Sequence, residues 1–266
     1  MTTASLLNKL RSISMEAAWA VLYERGFQNC FISGLEVLQP EQIMVGRART
    51  MRYVPFRPDL ASELEPEGPQ LHKEVVEQSK QDDILVVDSF GCRTAGFAGD
   101  IILTRFVKRG GSGVIVDGSV RDLSFLKQIQ LPVYTRATHA AYSLNQIIAL
   151  EENIPVQIDG VCVLPGDYLF GDGEGVLVIP QNIITDILEE ASDIDRKERF
   201  SRSKLESGAS LQEAYPLNEK LLTEFELWKR TRDSQLQSTA VYLNIIPAKL
   251  LSSFHTSNAL YGFSRP

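Results

Sequence analysis

The sequence predicts an α/β fold, and three observations carry that prediction. Asp83–Val87 (DILVV) is a short apolar run of the kind found in parallel strands buried on both faces. An apolar segment of helical length then starts at Gly99-Asp100 and stops at Gly110-Gly111, and Val114-Ile115-Val116 follows it. That is strand, helix, strand. Finally, Val156 to Pro180 breaks into short β segments, and two charged helical stretches come after it.

The bulk numbers bound the function before any motif does. The chain has 266 residues, 44% hydrophobic and 23% charged, which is ordinary globular composition and long enough to bury a sizeable core. A net charge of −7 argues against nucleic acid as a partner, because phosphate binding needs a basic surface. Three widely spaced cysteines, Cys30, Cys92 and Cys162, give no disulfide framework and no zinc spacing. The N-terminus lacks the apolar core of a signal peptide, and no run approaches the roughly 18 apolar residues of a membrane span. The expected protein is cytoplasmic, with neither a nucleic-acid nor a membrane partner.

In order along the chain, Ser14 to Arg25 reads as a core-packing helix capped by Ser14, with Trp19, Leu22 and Tyr23 at helical spacing and Gly26 as its stop. Phe31 to Phe56 reads as two or more strands, Met44-Val45 and Met51 to Val54 being the clearest. Arg47 and Arg49 would share one strand face and Arg52 the other. The proline-rich, acidic Arg57–Gly68 reads as a loop, and Leu71–Lys80 as a helix. Beyond the central unit, Pro132–Thr135 reads as a strand and Tyr142–Leu150 as helical. Asp159-Gly160 and Pro165-Gly166-Asp167 supply turns between β segments, and Gly171–Gly175 reads as a hairpin loop. Asn182–Phe200 and Leu211–Arg230 are the charged helices, the second broken at Pro216. Residues 1–232 are expected to form the main domain with its C-terminal helices, and 233–266 a tail or oligomer arm.

The chemistry concentrates in Gly91–Pro132. A helix starting near Gly99 points free N–H groups, including those of Ile101 and Ile102, toward the loop before it, where a carboxylate or phosphate can bind. Gly96 and Gly99 let a ligand approach the backbone. Val114–Val116 ends in Asp117-Gly118 and delivers Arg121-Asp122, read as an exposed turn. Arg121 can fork two N–H donors onto a carboxylate or keto oxygen, and Asp122 offers hard oxygen ligands suited to Mg²⁺ or Mn²⁺. From these residues alone a plainer reading takes precedence. In it, Asp122 caps the helix of Leu123–Ile129 and Arg121 makes a surface ion pair.

Taken together, Gly99-Asp100, Arg109-Gly110, Gly113-Val114-Ile115-Val116-Asp117-Gly118, Arg121-Asp122, Pro132-Val133 and Arg136 resemble the RraA-like family. That family includes the class II 4-hydroxy-4-methyl-2-oxoglutarate and 4-carboxy-4-hydroxy-2-oxoadipate aldolases and the regulators of ribonuclease activity. Gly46–Thr50 and Pro165-Gly166-Asp167 through Gly175-Val176 and Pro180 extend the resemblance to roughly Ser12–Leu222. It implies a swivelling β/β/α sandwich with C-terminal helices, assembled as a homotrimer or hexamer with sites between subunits. It also implies a metal-dependent lyase acting on a small 2-keto acid. Arg121 would orient the pyruvyl part, and Asp122 would hold Mg²⁺ or Mn²⁺ through waters. Gly99, Ile101 and Ile102 would bind the carboxylate, and Asp100 would move a proton through water. Glu198 stands where the family places a glutamate that completes a neighbouring subunit's metal shell. Gln130 and Ala137-Thr138-His139 depart from the pattern, which leaves the substrate open. Retro-aldol cleavage and oxaloacetate-type decarboxylation both fit, since both pass through a pyruvate enolate. The alternatives are a non-catalytic regulator that covers a ribonuclease or other protein, and a family enzyme recruited to a different substrate.

Overall fold

A computed structural model of the protein describes residues 1–64 and 70–231. The expected tail, 233–266, lies outside the described residues. The chain divides into two compact units, Met1–Asp195 and a second beginning at Arg196.

The first unit opens with α1 (Thr3–Leu10), α2 (Met15–Glu24), β1 (Phe31–Ile32), β2 (Glu36–Val37) and β3 (Met44–Pro55). Then come α3 (Pro58–Leu64), α4 (Leu71–Gln78), β4 (Asp83–Gly96), α5 (Asp100–Lys108), β5 (Gly113–Val120) and α6 (Leu123–Leu126). β6 (Val133–Thr138), β7 (Ile147–Glu152), β8 (Val156–Ile158), β9 (Val161–Val163), β10 (Tyr168–Gly171) and β11 (Val176–Ile179) follow. Two helices are named after these, α7 (Ile184–Glu206) and α8 (Leu211–Ala214).

The main sheet runs β1-β11-β10-β3-β4-β5-β6-β2, with β7 also paired to β3. Its centre, β3 through β6, is parallel, and the remaining strands join antiparallel. The alternation of side chains along these strands makes three layers. On one face, Val45, Tyr168, Phe170 and Leu177 pack under α1 and α2, while Leu85, Val87, Val114 and Val116 pack under α4 and α5. On the other face, Ile84, Val86, Ile115 and Leu169 meet Val156, Ile158, Val161 and Val163 of the β8–β9 hairpin. This is the β/β/α sandwich that the resemblance implies.

Local signals explain several boundaries. Ser14 accepts from the Ala17 N–H and caps α2, worth about 1 kcal/mol. Gly26 leaves the helix at φ +89°, where a side chain is strained. Burial on α2 differs from expectation, because Ala17, Ala18, Val21 and Leu22 face the core while Trp19 and Tyr23 stack on each other outside. Gly110 ends α5 at φ +93°, and a Cβ on Gly111 would lie 2.2 Å from the buried Phe106 ring.

Four expectations are corrected. Met44-Val45 and Met51–Val54 belong to one strand, β3, bulged between Arg52 and Tyr53. Arg57–Gly68 contains α3, because Pro58 suits the first helical position and Asp59 suits the first turn. Tyr142–Leu150 is not helical. Asn145 turns at φ 59°, and Ile147, Ile148 and Ala149 are buried in β7 against β3, so sheet pairing overrides the local pattern. Asp117-Gly118 is no turn either, since β5 continues through it, buried throughout, to Val120. Buried Asp117 is held there by an ion pair with Arg136, which also reaches Asp159 at 2.9 Å.

The second unit has its own small core of Phe200, Ala214, Leu221 and Phe225. It contains helical residues 219–231, and Pro216 marks the expected break before them.

Candidate active site

The site is assembled where β4 and β5 leave the sheet. The Phe97 N–H donates to Ser119 O at 2.8 Å, and the Arg121 N–H donates to Ala98 O at 3.0 Å. These bonds bring the segment after β4 alongside the end of β5, so the α5 N-terminus and Arg121-Asp122 meet although 22 residues separate Asp100 from Asp122.

Asp122 has φ 62° and ψ 43°, a left-handed conformation that costs a non-glycine residue about 1 kcal/mol. Its side chain gives no cap bond to α6, so the plainer sequence reading fails on that point. Asp122 Oδ2 instead accepts from the Asp100 N–H at 3.1 Å and lies 3.3 Å from Arg121 Nε. The carboxylate therefore bridges a helix N-terminus and a guanidinium. Arg121 and Asp122 remain about one-third exposed, so both reach solvent-filled space.

Gly99 makes this contact possible. A Cβ there would lie 1.9 Å from Asp122 Oδ2 and 2.8 Å from Arg121 Cγ. Gly96 is nearly as tight, with Arg121 Cβ 3.0 Å from where its own Cβ would stand. The two glycines serve the close approach of protein to protein, in addition to any ligand.

Asp100 opens α5, and its Oδ1 accepts from the Ile101 N–H at 2.7 Å. Of the two N–H groups expected to take a ligand carboxylate, that of Ile101 is thus already bonded, and that of Ile102 has no acceptor among the described residues.

These residues line a cleft of about 350 Å³ with Gly96 to Ile102, Arg121 and Asp122 on it. His72 and Lys73 of α4 and the segment Tyr142–Leu144 also line it. The sequence reading missed this second group. His72-Lys73 stands well outside Gly91–Pro132 in the chain, and Tyr142–Leu144 has a helical pattern in the sequence. The segment is set by His139, whose Nδ1 accepts from the Ala141 N–H at 3.1 Å, and by Ala141 O, which accepts from the Gly96 N–H at 2.8 Å. His72 is nearly buried, and burial, followed by the charge of Lys73, lowers its pKa and keeps the imidazole neutral at pH 7.

The donor set can be weighed against Mg²⁺ or Mn²⁺. Asp100 and Asp122 bring two carboxylates to the cleft, and no group of three or more His, Cys, Asp or Glu side chains able to hold a metal occurs among the described residues. Two carboxylates fit an ion that keeps most of its waters and do not fit a closed, all-protein cage. Glu198 lies on α7 in the second unit.

The family model "RraA-like: Aldolase/RraA" matches residues 16–178, more than half of the chain. A Legionella pneumophila protein, DlpA, is 24% identical over 80% of this chain and 34% of its own length. A Halalkalibacterium halodurans protein, provisionally named a 4-hydroxy-4-methyl-2-oxoglutarate aldolase, is 35% identical over 44% of this chain and 57% of its own. The chain thus spans between one-third and three-fifths of these curated relatives. Among solved structures, RraAS2 of Streptomyces coelicolor, described as an unusual member of the RNase ES inhibitor RraA family, is 30% identical with a TM-score of 0.68 over 76% of this chain and 97% of its own. An uncharacterized Pseudomonas syringae protein shares the fold at 22% identity, with a TM-score of 0.72 over 80% of this chain and 94% of its own. With the D-x20-R-D pattern of Asp100, Arg121 and Asp122 gathered on one cleft, the chain belongs to the RraA-like family of aldolase and RraA proteins.

Proposed function

We propose that this protein is a divalent-metal-dependent lyase that releases pyruvate from a 2-keto acid by retro-aldol cleavage or oxaloacetate-type decarboxylation. The observation that carries the reading is the convergence of Arg121, Asp122 and Asp100 at the α5 N-terminus, on one open cleft.

Each residue has a role its chemistry suits. Arg121 Nε faces Asp122, and the outer edge of its guanidinium takes the carboxylate and keto oxygen of the pyruvyl part. The Ile102 N–H and the positive end of α5 add to that anion site. Asp122, with Asp100 beside it, would hold Mg²⁺ or Mn²⁺ largely through water, and the bound ion supplies Lewis acidity for the charge that develops on the keto oxygen. Asp100 has one oxygen on the Ile101 N–H and can relay a proton through water with the other. When the bond to the departing carbon breaks, its electrons remain on the pyruvyl part as an enolate, which is then protonated at carbon. No lysine Schiff base is needed. Members of this class work as trimers or hexamers, and Glu198 would complete a neighbouring site in such an assembly.

One observation favours a second reading. The chain covers nearly all of RraAS2, whose description names a ribonuclease inhibitor family. A regulator of that kind would act by covering a partner and would show no turnover.

Pyruvate release from oxaloacetate and from 4-hydroxy-4-methyl-2-oxoglutarate, with Mg²⁺ or Mn²⁺ and again with EDTA, separates the two. Metal-dependent release that disappears in Arg121→Ala supports the lyase. A folded, metal-supplied protein that releases nothing from either acid refutes pyruvate release from these acids and leaves the regulator or a family enzyme recruited to a different substrate.

A further inference from the structure

One wall of the cleft has no role in the chemistry proposed for Arg121, Asp122 and Asp100. β6 ends at Thr138, and the chain crosses to β7 through residues 139–146, of which Tyr142, Ser143 and Leu144 line the cleft. Tyr142 and Leu144 are largely exposed, so burial does little to fix this stretch. Hydrogen bonds fix it instead. At its far end Ser143 O accepts from the Gln146 and Ile147 N–H groups, both at 3.0 Å, which ties it to the start of β7. At its near end the ties run through His139 and Ala141.

His139 joins two strand ends. Its N–H donates to Val120 O at 2.9 Å, which anchors it to the last residue of β5, directly before Arg121. Its Nδ1 accepts from the Ala141 N–H at 3.1 Å, so the ring hydrogen sits on Nε2. Ala141 O in turn accepts from the Gly96 N–H at 2.8 Å, and Tyr142 bridges Gly96 in parallel. Gly96 backs onto Arg121, whose Cβ is 3.0 Å from where a Cβ on Gly96 would stand. The Phe97 N–H then returns to β5 at Ser119 O, 2.8 Å away. These bonds form a circuit from the end of β5 through His139 and Ala141 to the end of β4 and back, with Arg121 beside it. His139 Nδ1 is the one side-chain atom in the circuit. It fixes the turn His139–Ala141 that aims Ala141 O at Gly96, as an asparagine side chain does when it bonds the backbone two residues on. His139 belongs to the Ala137-Thr138-His139 stretch that departs from the family pattern, so the device is particular to this chain.

We propose that His139 is a positioning residue: through Ala141 it clips the Tyr142–Leu144 wall to the end of β4 and so sets how tightly the cleft holds its substrate. His139 is not one of the described residues that line the cleft, so it acts through Ala141 and Gly96 and touches no substrate. The wall meets the bound molecule and leaves the Asp122–Asp100 contact alone, so ground state and transition state lose alike when it slackens. KM then rises while kcat holds. The effect on turnover rests on the lyase reading; the clip itself does not.

The test compares His139→Phe, which keeps a ring and removes the acceptor, with His139→Asn, whose side-chain oxygen can take the place of Nδ1. Hydrogen exchange on the unliganded protein, read by mass spectrometry, reports the clip without any substrate. In His139→Phe, peptides covering 93–99 and 137–146 should exchange about fivefold faster, the scale of one hydrogen bond, while α2 and β3 exchange as in wild type. His139→Asn should stay near wild type throughout. In turnover of whichever 2-keto acid the wild-type protein cleaves, His139→Phe should raise KM about fivefold with kcat within about twofold of wild type, and His139→Asn should restore KM. Unchanged exchange in His139→Phe, an equal loss in both variants, or faster exchange with no change in KM overturns the assignment. A wild-type protein that cleaves no 2-keto acid sinks the lyase reading alone, and the exchange comparison still decides the clip.

Discussion

Gly99→Ala tests whether the site depends on the contact between Asp122 and the α5 N-terminus. The backbone at Gly99 is extended, at φ −134° and ψ −156°, so alanine meets no conformational penalty there. Its methyl group is the whole perturbation. That carbon would stand 1.9 Å from Asp122 Oδ2, whereas ordinary contact begins at 3.4 Å, so the carboxylate must retreat by about 1.5 Å. Retreat breaks the 3.1 Å bond to the Asp100 N–H and moves Arg121, whose Cγ is also within 2.8 Å of the new carbon. A displacement of that size at reacting groups costs about 100-fold or more in kcat/KM. Stability should change far less. One capping hydrogen bond is worth about 1 kcal/mol, or about 2–4 °C in Tm for a chain of this size. The assay is pyruvate release from whichever acid the wild-type protein cleaves, beside a thermal melt of the same preparation. Near wild-type turnover in a folded Gly99→Ala protein would refute the claim that Asp122 must sit where this structure places it.

The remaining predictions address charge and burial. Arg121→Ala and Asp122→Ala should each lower kcat/KM by at least about 100-fold, because Arg121 opposes the negative charge that develops in the transition state and Asp122 would hold the ion that does the same. Circular dichroism should find both variants folded, since both side chains are part-exposed at the cleft. Asp117→Ala should instead unfold early. It removes the partner of a part-buried guanidinium that keeps only Asp159, a loss of about 3 kcal/mol or about 6–12 °C in Tm. His72 gives a pH signature. Its folded-state pKa is depressed from 6.5, so below pH 6.5 the unfolded chain binds the proton more readily than the folded one. Stability is therefore full above pH 6.5 and falls as the pH drops below it. Urea melts of His72→Asn between pH 5 and 7 should show a flatter dependence than wild type, and an identical slope would count against a buried neutral imidazole.

What could be read from the residues, and what could not, follows from the range of the forces involved. α2 and α5 were legible because their signals are local. Ser14 and Gly26 bracket one helix, and Gly99 and Gly110 bracket the other. Arg121-Asp122 and Asp100 were legible as a set only through family resemblance, since nothing local says that two residues at the end of β5 meet a helix N-terminus. Asp117-Gly118 misled for the same reason. The pair is turn chemistry in isolation, and it becomes strand because Arg136, on the next strand, neutralises a buried aspartate. Tyr142–Leu150 misled because the burial that makes Ile147–Ala149 a strand is supplied by β3, nearly a hundred residues earlier. The α4 side of the cleft was invisible because His72 and Lys73 look like any two polar residues at the start of a helix. Their meaning comes from α4 and α5 running side by side, a tertiary fact fixed by Glu77–Arg105 pairing and by the shared core of Val75, Val76, Leu103 and Phe106. The site thus has two kinds of residue. Asp100, Arg121 and Asp122 carry chemistry that a motif can announce. Gly99 decides whether those groups stand in the right place, and His72 and Lys73 line the same cleft, and both facts depend on distances that no spacing along the chain contains.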